Sequence, residues 1–401
     1  MVLPGIEVLL AERPDLCRAG RAAILCHAAS VAPDLSHVVD RLLGHGVSLV
    51  RLFGPEHGVR ADAQDMVGVD GEVDRSSGLP VVSLYGTSFE SLSPPPGSLT
   101  DIDLLFVDLQ DIGSRYYTYV WTMALAMQAA AREGTKVVVL DRPNPIGGLA
   151  ETIEGGSVEP EVESFVGLAP VPVRHGLTIG EMARLVRAGL PWGGVRFRNP
   201  LDVDLEVVVM RGWTRAMTFD ETRLPWVMPS PNMPTLDTAF VYPGLCLLEG
   251  TNVSEGRGTT RPFELIGAPF IDGQKLAAAM SAFALPGVRF RPTCVRPTFH
   301  KFAGKPCGGI QLHVIDRTTF RPYRTGVALL TALWAVGGQA FAWRRESYEF
   351  VTNHPAIDLL TGGSAVRLGV ERGLPIEEIF ASWAGPERAF EERRRPHLLY
   401  D

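Results

Sequence analysis

Glu56 and His57 place a carboxylate beside an imidazole in Val47-Ser-Leu-Val-Arg-Leu-Phe-Gly-Pro-Glu-His-Gly58, immediately after an apolar run of strand type. A carboxyl group on a turn at the end of a buried strand is where an open α/β sheet keeps its chemistry, and it can give or take a proton there. Three further polar clusters follow strand-like runs: Cys26-His27, Asp108-Leu-Gln110-Asp111 with Arg115 and Tyr116, and Asp141-Arg142-Pro-Asn144. Asp108, Asp111, Arg115 and Tyr116 have two readings, a polar binding surface or ion pairs with helix-capping partners. Asp141, Arg142 and Asn144 share that ambiguity, although Pro143 and Pro145 stiffen their turn and favour a preorganised site.

The elements that must position these groups follow from hydrophobic periodicity. Short apolar runs at Ala22–Cys26, Val47–Phe53, Val81–Tyr85, Ile102–Leu109, Lys136–Leu140 and Leu205–Met210 read as buried strands. Helical spacing marks Leu35–Leu43, Tyr119–Glu133 and Thr178–Ala188, the first two stopped by Gly44 and Gly134. Strands alternating with helices predict a mostly parallel sheet covered on both faces. Right-handed crossovers then bring all the strand C-termini, and so the four polar clusters, to one edge.

His175 precedes a helix whose Thr178-Ile-Gly-Glu181 start has capping-box spacing, so Thr178 and Glu181 read as structural and His175 as a candidate ligand contact. The stretch Glu249–Glu264 packs Asn252, Glu255 and Arg257 among glycines and further charges, which suits sugar or carboxylate recognition. Glu154 lies on the long connection after the Asp141 strand, where residue type alone does not distinguish it from Glu151, Glu159, Glu161 or Glu163. The remaining histidines, His27, His37, His45, His300, His313 and His354, read as core or surface residues. The segment from Val59 to Gly78 is too long for a simple connection and predicts a functional loop or lid.

A length of 401 residues suggests two domains, and the Pro-rich stretch Pro225–Pro234 suggests the junction: a Rossmann-like α/β domain over 1–228 and a smaller α+β domain over 229–401. In the second, Gly273–Phe283 and Thr325–Val336 look helical, while Val288–Thr298 and Gly308–Ile315 look like strands. A net charge of −7 and an ordinary 46% hydrophobic content point to no nucleic-acid or membrane partner. Five widely spaced cysteines without a C-x-x-C pair fit a reducing compartment rather than a disulfide framework. With no basic, apolar leader in view, a cytoplasmic location is expected.

Several sharper readings fail on their chemistry. After the first strand the chain has Cys26-His-Ala-Ala-Ser-Val31, not the glycines that let a backbone approach a pyrophosphate, and neither a P-loop nor a G-x-S-x-G elbow occurs. Combinations such as His57, Asp62 and Asp65, or Asp108 and Asp111, lack the spacing of known metal-ligand sets, so no metal and no cofactor is expected.

Taken together, Leu52-Phe-Gly-Pro-Glu-His-Gly58, Ser83-Leu-Tyr-Gly86, Asp108-Leu-Gln-Asp-Ile-Gly-Ser-Arg-Tyr-Tyr-Thr-Tyr119, Leu140-Asp-Arg-Pro-Asn-Pro-Ile-Gly-Gly148, Ser164-Phe-Val-Gly167, Arg174–Glu181, Glu249–Glu264 and His397-Leu-Leu-Tyr400 resemble the NamZ family of exo-β-N-acetylmuramidases, formerly a domain of unknown function, DUF1343. The resemblance covers nearly the whole chain. It implies a Rossmann-like catalytic domain with a smaller C-terminal domain, and release of N-acetylmuramic acid (MurNAc) from the non-reducing ends of peptidoglycan fragments such as MurNAc-GlcNAc or a muropeptide. It implies Glu56 and Glu154 as the catalytic pair.

In that reading Glu56, kept protonated by partial burial, is the general acid and Glu154 the nucleophile or base, with the roles exchangeable. The sugar's acetamido group could instead act as internal nucleophile, oriented by a residue such as Asp108. Arg115, Arg142 or Arg257 is expected to pair with the lactyl carboxylate. A metal-dependent hydrolase and a non-catalytic muropeptide-binding protein are the rival readings. Two segments depart from the family's usual pattern, Cys26–Ser30 and Val59–Met66, and many relatives are exported.

Overall fold

The computed structural model describes residues 1–59 and 73–401; most of the expected lid, and the departure after Val59, lie outside the described residues. Six strands form one sheet: β1 Arg21–Cys26, β2 Ser48–Gly54, β3 Val81–Ser83, β4 Leu104–Asp108, β5 Lys136–Leu140 and β6 Leu205–Val208. Their order is β3-β2-β1-β4-β5-β6 and every neighbouring pair is parallel, the arrangement of a Rossmann-type sheet. The helices of this half are α1 Gly5–Glu12, α2 Pro14–Cys17, α3 Val38–Gly44, α4 Tyr119–Glu133 and α5 Ile179–Ala188.

Strand parity decides which face each side chain serves. Ala22, Ile24, Leu52, Leu104, Phe106, Val138 and Leu140 pack with α1, α2 and α3 in one apolar cluster. Their alternates Ala23, Leu25, Phe53, Leu105, Val107, Val137 and Val139 pack with α4 and α5 in another. Burial on both faces explains why these strands read as continuous apolar runs.

The second cluster continues without a break into the rest of the chain, joining α6 Leu236–Leu245, α7 Gly273–Ala282, α8 Pro322–Gly337, α9 Ala356–Thr361, α10 Ala365–Glu371 and α11 Ile376–Ala381. A last helix, α12 Ala384–Arg394, precedes the C-terminal turn. A second, antiparallel sheet has the order β7-β9-β8, from Leu265–Ala268, Cys307–Val314 and Val288–Val295. Helices α6 and α8 meet at backbone distance: a Cβ on Gly244 would lie 1.9 Å from the Pro322 carbonyl oxygen, so only glycine fits. That close approach fixes α6, which carries Tyr242 toward the sheet. Among the described residues no helix is long and apolar enough to cross a membrane.

Candidate active site

Strand β2 ends at Gly54, and the Gly58 amide donates to the Pro55 carbonyl at 2.9 Å, closing the Pro55–Gly58 turn. Its third residue, His57, has φ 71°, a left-handed conformation usually left to Gly or Asn. This turn folds Glu56 inward until it is 8% exposed. The Thr118 hydroxyl, at the start of α4, donates to Glu56 Oε2 at 3.1 Å.

Glu56 and His57 form one wall of a cavity between the two halves. Tyr116, Tyr117, Thr118 and Tyr119 come from the segment entering α4, and Ser230 and Asn232 from the Pro-rich stretch. The second half supplies Tyr242, Glu249, Arg257, Phe263, Tyr348 and Glu349. The aromatic walls brace one another edge to face: the Tyr242 ring stands 6.0 Å from Tyr116, 5.7 Å from Tyr117 and 4.8 Å from Phe263. Arg257 donates from Nη2 to Glu249 Oε1 at 2.7 Å and lies over the Phe263 ring at 5.2 Å. The Tyr348 hydroxyl donates to Glu249 Oε2 at 2.6 Å. The wall offers aromatic faces, one guanidinium and three carboxylates, groups suited to stacking on a sugar ring, pairing with an acidic substituent and exchanging protons.

Of the residues singled out in the sequence, the cavity gathers Glu56, His57, Tyr116 and Arg257. Tyr116 turns only its ring to it, since its hydroxyl donates to the Pro243 carbonyl. The others are engaged elsewhere, because a buried polar group needs a partner wherever it sits. Asp108 and Arg142 form a buried bidentate ion pair, with Nη2 to Oδ2 at 2.9 Å, and Arg142 also donates to the Val31 carbonyl. Arg115, expected as a lactyl partner, is fully buried and gives its Nη donors to the carbonyls of Gly156, Val171 and Leu360.

Gln110 ties its side chain to the carbonyls of Asp111 and Pro143, while Asp111 accepts from the Gly113 amide at 2.6 Å and lies 3.7 Å from His175 Nε2. Burial raises the Asp111 carboxyl to about 7 and lowers His175 to about 3, so His175 is a neutral core imidazole. Asp141 accepts from the Thr178 hydroxyl, the Gly180 amide and the Tyr400 hydroxyl, which pins the start of α5 and the C-terminus to β5. Asn144 bridges the Leu177 carbonyl and the Ile146 amide.

Asn252 clamps the backbone of Ala340 and Ala342. Glu255 sits under Lys301 at 2.9 Å, His300 at 3.1 Å and Arg257 at 3.4 Å; Lys301 and its neighbours overcome the burial and hold this carboxyl well below the usual range.

Glu154 does not line the Glu56 cavity. Its backbone pairs with Arg174, and its Oε2 accepts from the Arg324 amide at 3.1 Å. It faces a separate cleft with Arg321, Arg324 and α12. Burial lifts its carboxyl to about 7, Arg174 being 3.7 Å away and only partly offsetting the desolvation.

Tyr117, Thr118 and Tyr119 belong to the Asp108–Tyr119 motif and Glu249 and Phe263 to the Glu249–Glu264 stretch, where residue type alone does not single them out. Ser230, Asn232, Tyr348 and Glu349 carry no local signal; only the docking of the two halves brings them in. The Tyr119 hydroxyl donates to the Pro229 carbonyl at 2.6 Å, which draws the Pro-rich stretch over the site as a wall.

Family models for the exo-β-N-acetylmuramidase NamZ match residues 22–237 with the N-terminal model and 240–400 with the C-terminal one. The chain belongs to the NamZ family. Across 400 residues it is 43% identical to the peptidoglycan β-N-acetylmuramidase NamZ of Bacillus subtilis (strain 168), covering 100% of this chain and 91% of the relative. Two crystal structures of DUF1343 family proteins from Bacteroides fragilis NCTC 9343 share the NamZ-family fold. One has a TM-score of 0.87 at 32% identity and the other 0.78 at 29%, each alignment covering 100% of this chain and 99% of theirs.

Proposed function

We propose that this protein hydrolyses the β-glycosidic bond of a MurNAc residue at the non-reducing end of a small peptidoglycan fragment, with Glu56 as general acid. The observation that carries the reading is Glu56 itself, folded inward by the His57 turn, bonded to Thr118, and lining one cavity with Arg257, the only arginine of its wall among the described residues. Glu56 gives its proton to the departing oxygen as the C1–O bond breaks. Tyr117, Tyr242 and Phe263 offer faces to the apolar side of the sugar, and Arg257 takes the lactyl carboxylate. Five free thiols, Cys294 exposed among them, support a reducing compartment and so a role on imported wall fragments.

The test is to incubate MurNAc-GlcNAc with wild type and Glu56→Gln and identify the products. The wild type should release MurNAc, and the variant should do so about 10²- to 10⁴-fold more slowly. Undiminished release by the variant removes Glu56 from the chemistry.

A further inference from the structure

Glycosidic hydrolysis uses a second carboxyl group at the anomeric carbon, and Glu154 lies in another cleft. The described cavity wall holds two carboxylates besides Glu56, namely Glu249 and Glu349. Glu249 has both oxygens committed to orienting Tyr348 and Arg257. Glu349 enters on a tight turn. Tyr348 and Val351 exchange both backbone hydrogen bonds, at 3.0 and 2.9 Å, closing a two-residue hairpin. Its central residues Glu349 and Phe350 have φ of 46° and 67°.

Hairpins with positive φ at both central positions are ordinarily Asn-Gly or Asp-Gly, because other L-residues are strained there. A glutamate and a phenylalanine held in that turn mark a place where the surroundings impose a geometry the local sequence disfavours. The Glu56 turn carries the same signature, with His57 at φ 71°. Both turns line the same cavity. Tyr85, just beyond β3 and so beside the strand that delivers Glu56, packs against Phe350 at 6.0 Å between ring centres, and its hydroxyl approaches Glu349 Oε2 at 3.5 Å.

We propose that Glu349 is the second catalytic carboxylate, taking the proton from the water that attacks the anomeric carbon; this rests on the activity proposed above. One C1–O bond forms from water as the C1–O bond to the leaving sugar breaks, and its electron pair departs with that sugar's oxygen. Glu56 protonates this oxygen and Glu349 gains the water's proton, so the pair exchanges protonation states in one turnover and resets through solvent.

The test uses the full chain, MurNAc-GlcNAc, and an aryl N-acetylmuraminide whose phenolate leaves without protonation. Glu349→Ala should lose about 10²- to 10⁴-fold in kcat/KM on both substrates, because a base acts at C1 whatever the leaving group. Azide, which attacks without releasing a proton, should restore turnover of the aryl substrate and give a glycosyl azide. Glu56→Gln should lose far more on the disaccharide than on the aryl substrate. Glu349→Asn, suited to the left-handed turn, should be equally inactive yet melt no lower than wild type, an outcome a merely structural glutamate does not produce.

Glu349→Ala or Glu349→Asn turning over the aryl substrate at close to the wild-type rate overturns the assignment, as does an inactive Glu349→Ala that azide leaves inactive. If those variants and the wild type all release MurNAc, only the role of Glu349 falls. A wild type that releases no MurNAc removes the activity and this inference with it.

Discussion

Replacing Arg257 by methionine tests the sugar selectivity most directly. The guanidinium is 7% exposed, reaches Glu249 at 2.7 Å and Glu255 at 3.4 Å, and lies over Phe263. A charge-assisted contact between such a group and a lactyl carboxylate, made where water is largely excluded, is worth about 2–4 kcal/mol. At 1.4 kcal/mol per decade that is roughly 30- to 700-fold in affinity. Methionine keeps much of the apolar stem while removing charge and fork.

The substitution also takes a cation from Glu249 and Glu255, but Tyr348 still donates to the first, and Lys301 and His300 still face the second. Whatever general disturbance follows weakens every ligand alike, so the informative quantity is a ratio. Dissociation constants for MurNAc and for GlcNAc, which lacks the lactyl group, are measured by calorimetry on both enzymes. MurNAc binding should weaken by roughly 30- to 700-fold and GlcNAc binding by less than about tenfold. Equal losses on the two sugars refute the assignment.

Two further outcomes follow from the buried charges outside the cavity. Arg142→Ala leaves Asp108, which is 0% exposed, without its partner and should cost about 3–5 kcal/mol, read as a lower urea midpoint; Asp108→Leu with Arg142→Met should recover most of it. For Glu154, the folded carboxyl titrates near 7 against a usual 4.5, so the folded state holds its proton more tightly than the unfolded state does. Its contribution is fully present below about pH 4.5 and fades as pH rises through 7, by up to about 3 kcal/mol. Glu154→Gln should therefore lose less stability than wild type between pH 5 and pH 8 in parallel melts. A variant that follows the wild-type curve excludes the titration, and a catalytic loss as large as that of Glu56→Gln would restore Glu154 to the chemistry.

The sheet was legible to within a residue or two at most strand ends, because strands buried on both faces are uninterrupted apolar runs closed by glycine or a polar turn. Helices α4 and α5 were equally clear, the first from its Gly134 stop and the second from the Thr178–Glu181 box, which the structure forms through both of its hydrogen bonds. The short helices α9 to α11, the strongly charged α12, and α6 with its internal proline lack a long apolar periodic stripe, so the sequence does not mark them. The convergence of polar clusters at one edge was a sound deduction, but what the clusters do there could not be read. Asp108 and Arg142, or Asp141 and Tyr400, are far apart in sequence, and their mutual satisfaction exists only once the strands are side by side.

That pairing also explains where the site lies. In an open sheet of this order the crevice between β1 and β4 is the natural ligand position, and dinucleotide-binding chains keep glycines there. Here His27 fills it. Its Nε2 accepts the Gln110 amide at 2.9 Å, which leaves the proton on Nδ1 facing the Pro229 carbonyl at 3.3 Å, and burial holds the ring neutral, with its pKa lowered to about 3. Ser30 closes the same gap by donating to the Asp108 carbonyl. With the switch point occupied by side chains that staple β1, β4 and the Pro-rich stretch together, the strand end that reaches the cavity is that of β2. Glu56 stands on it, opposite the second half of the chain. The reaction proposed for Glu56 calls on Arg257 and Glu349, which reach its cavity only because both halves pack on the shared core.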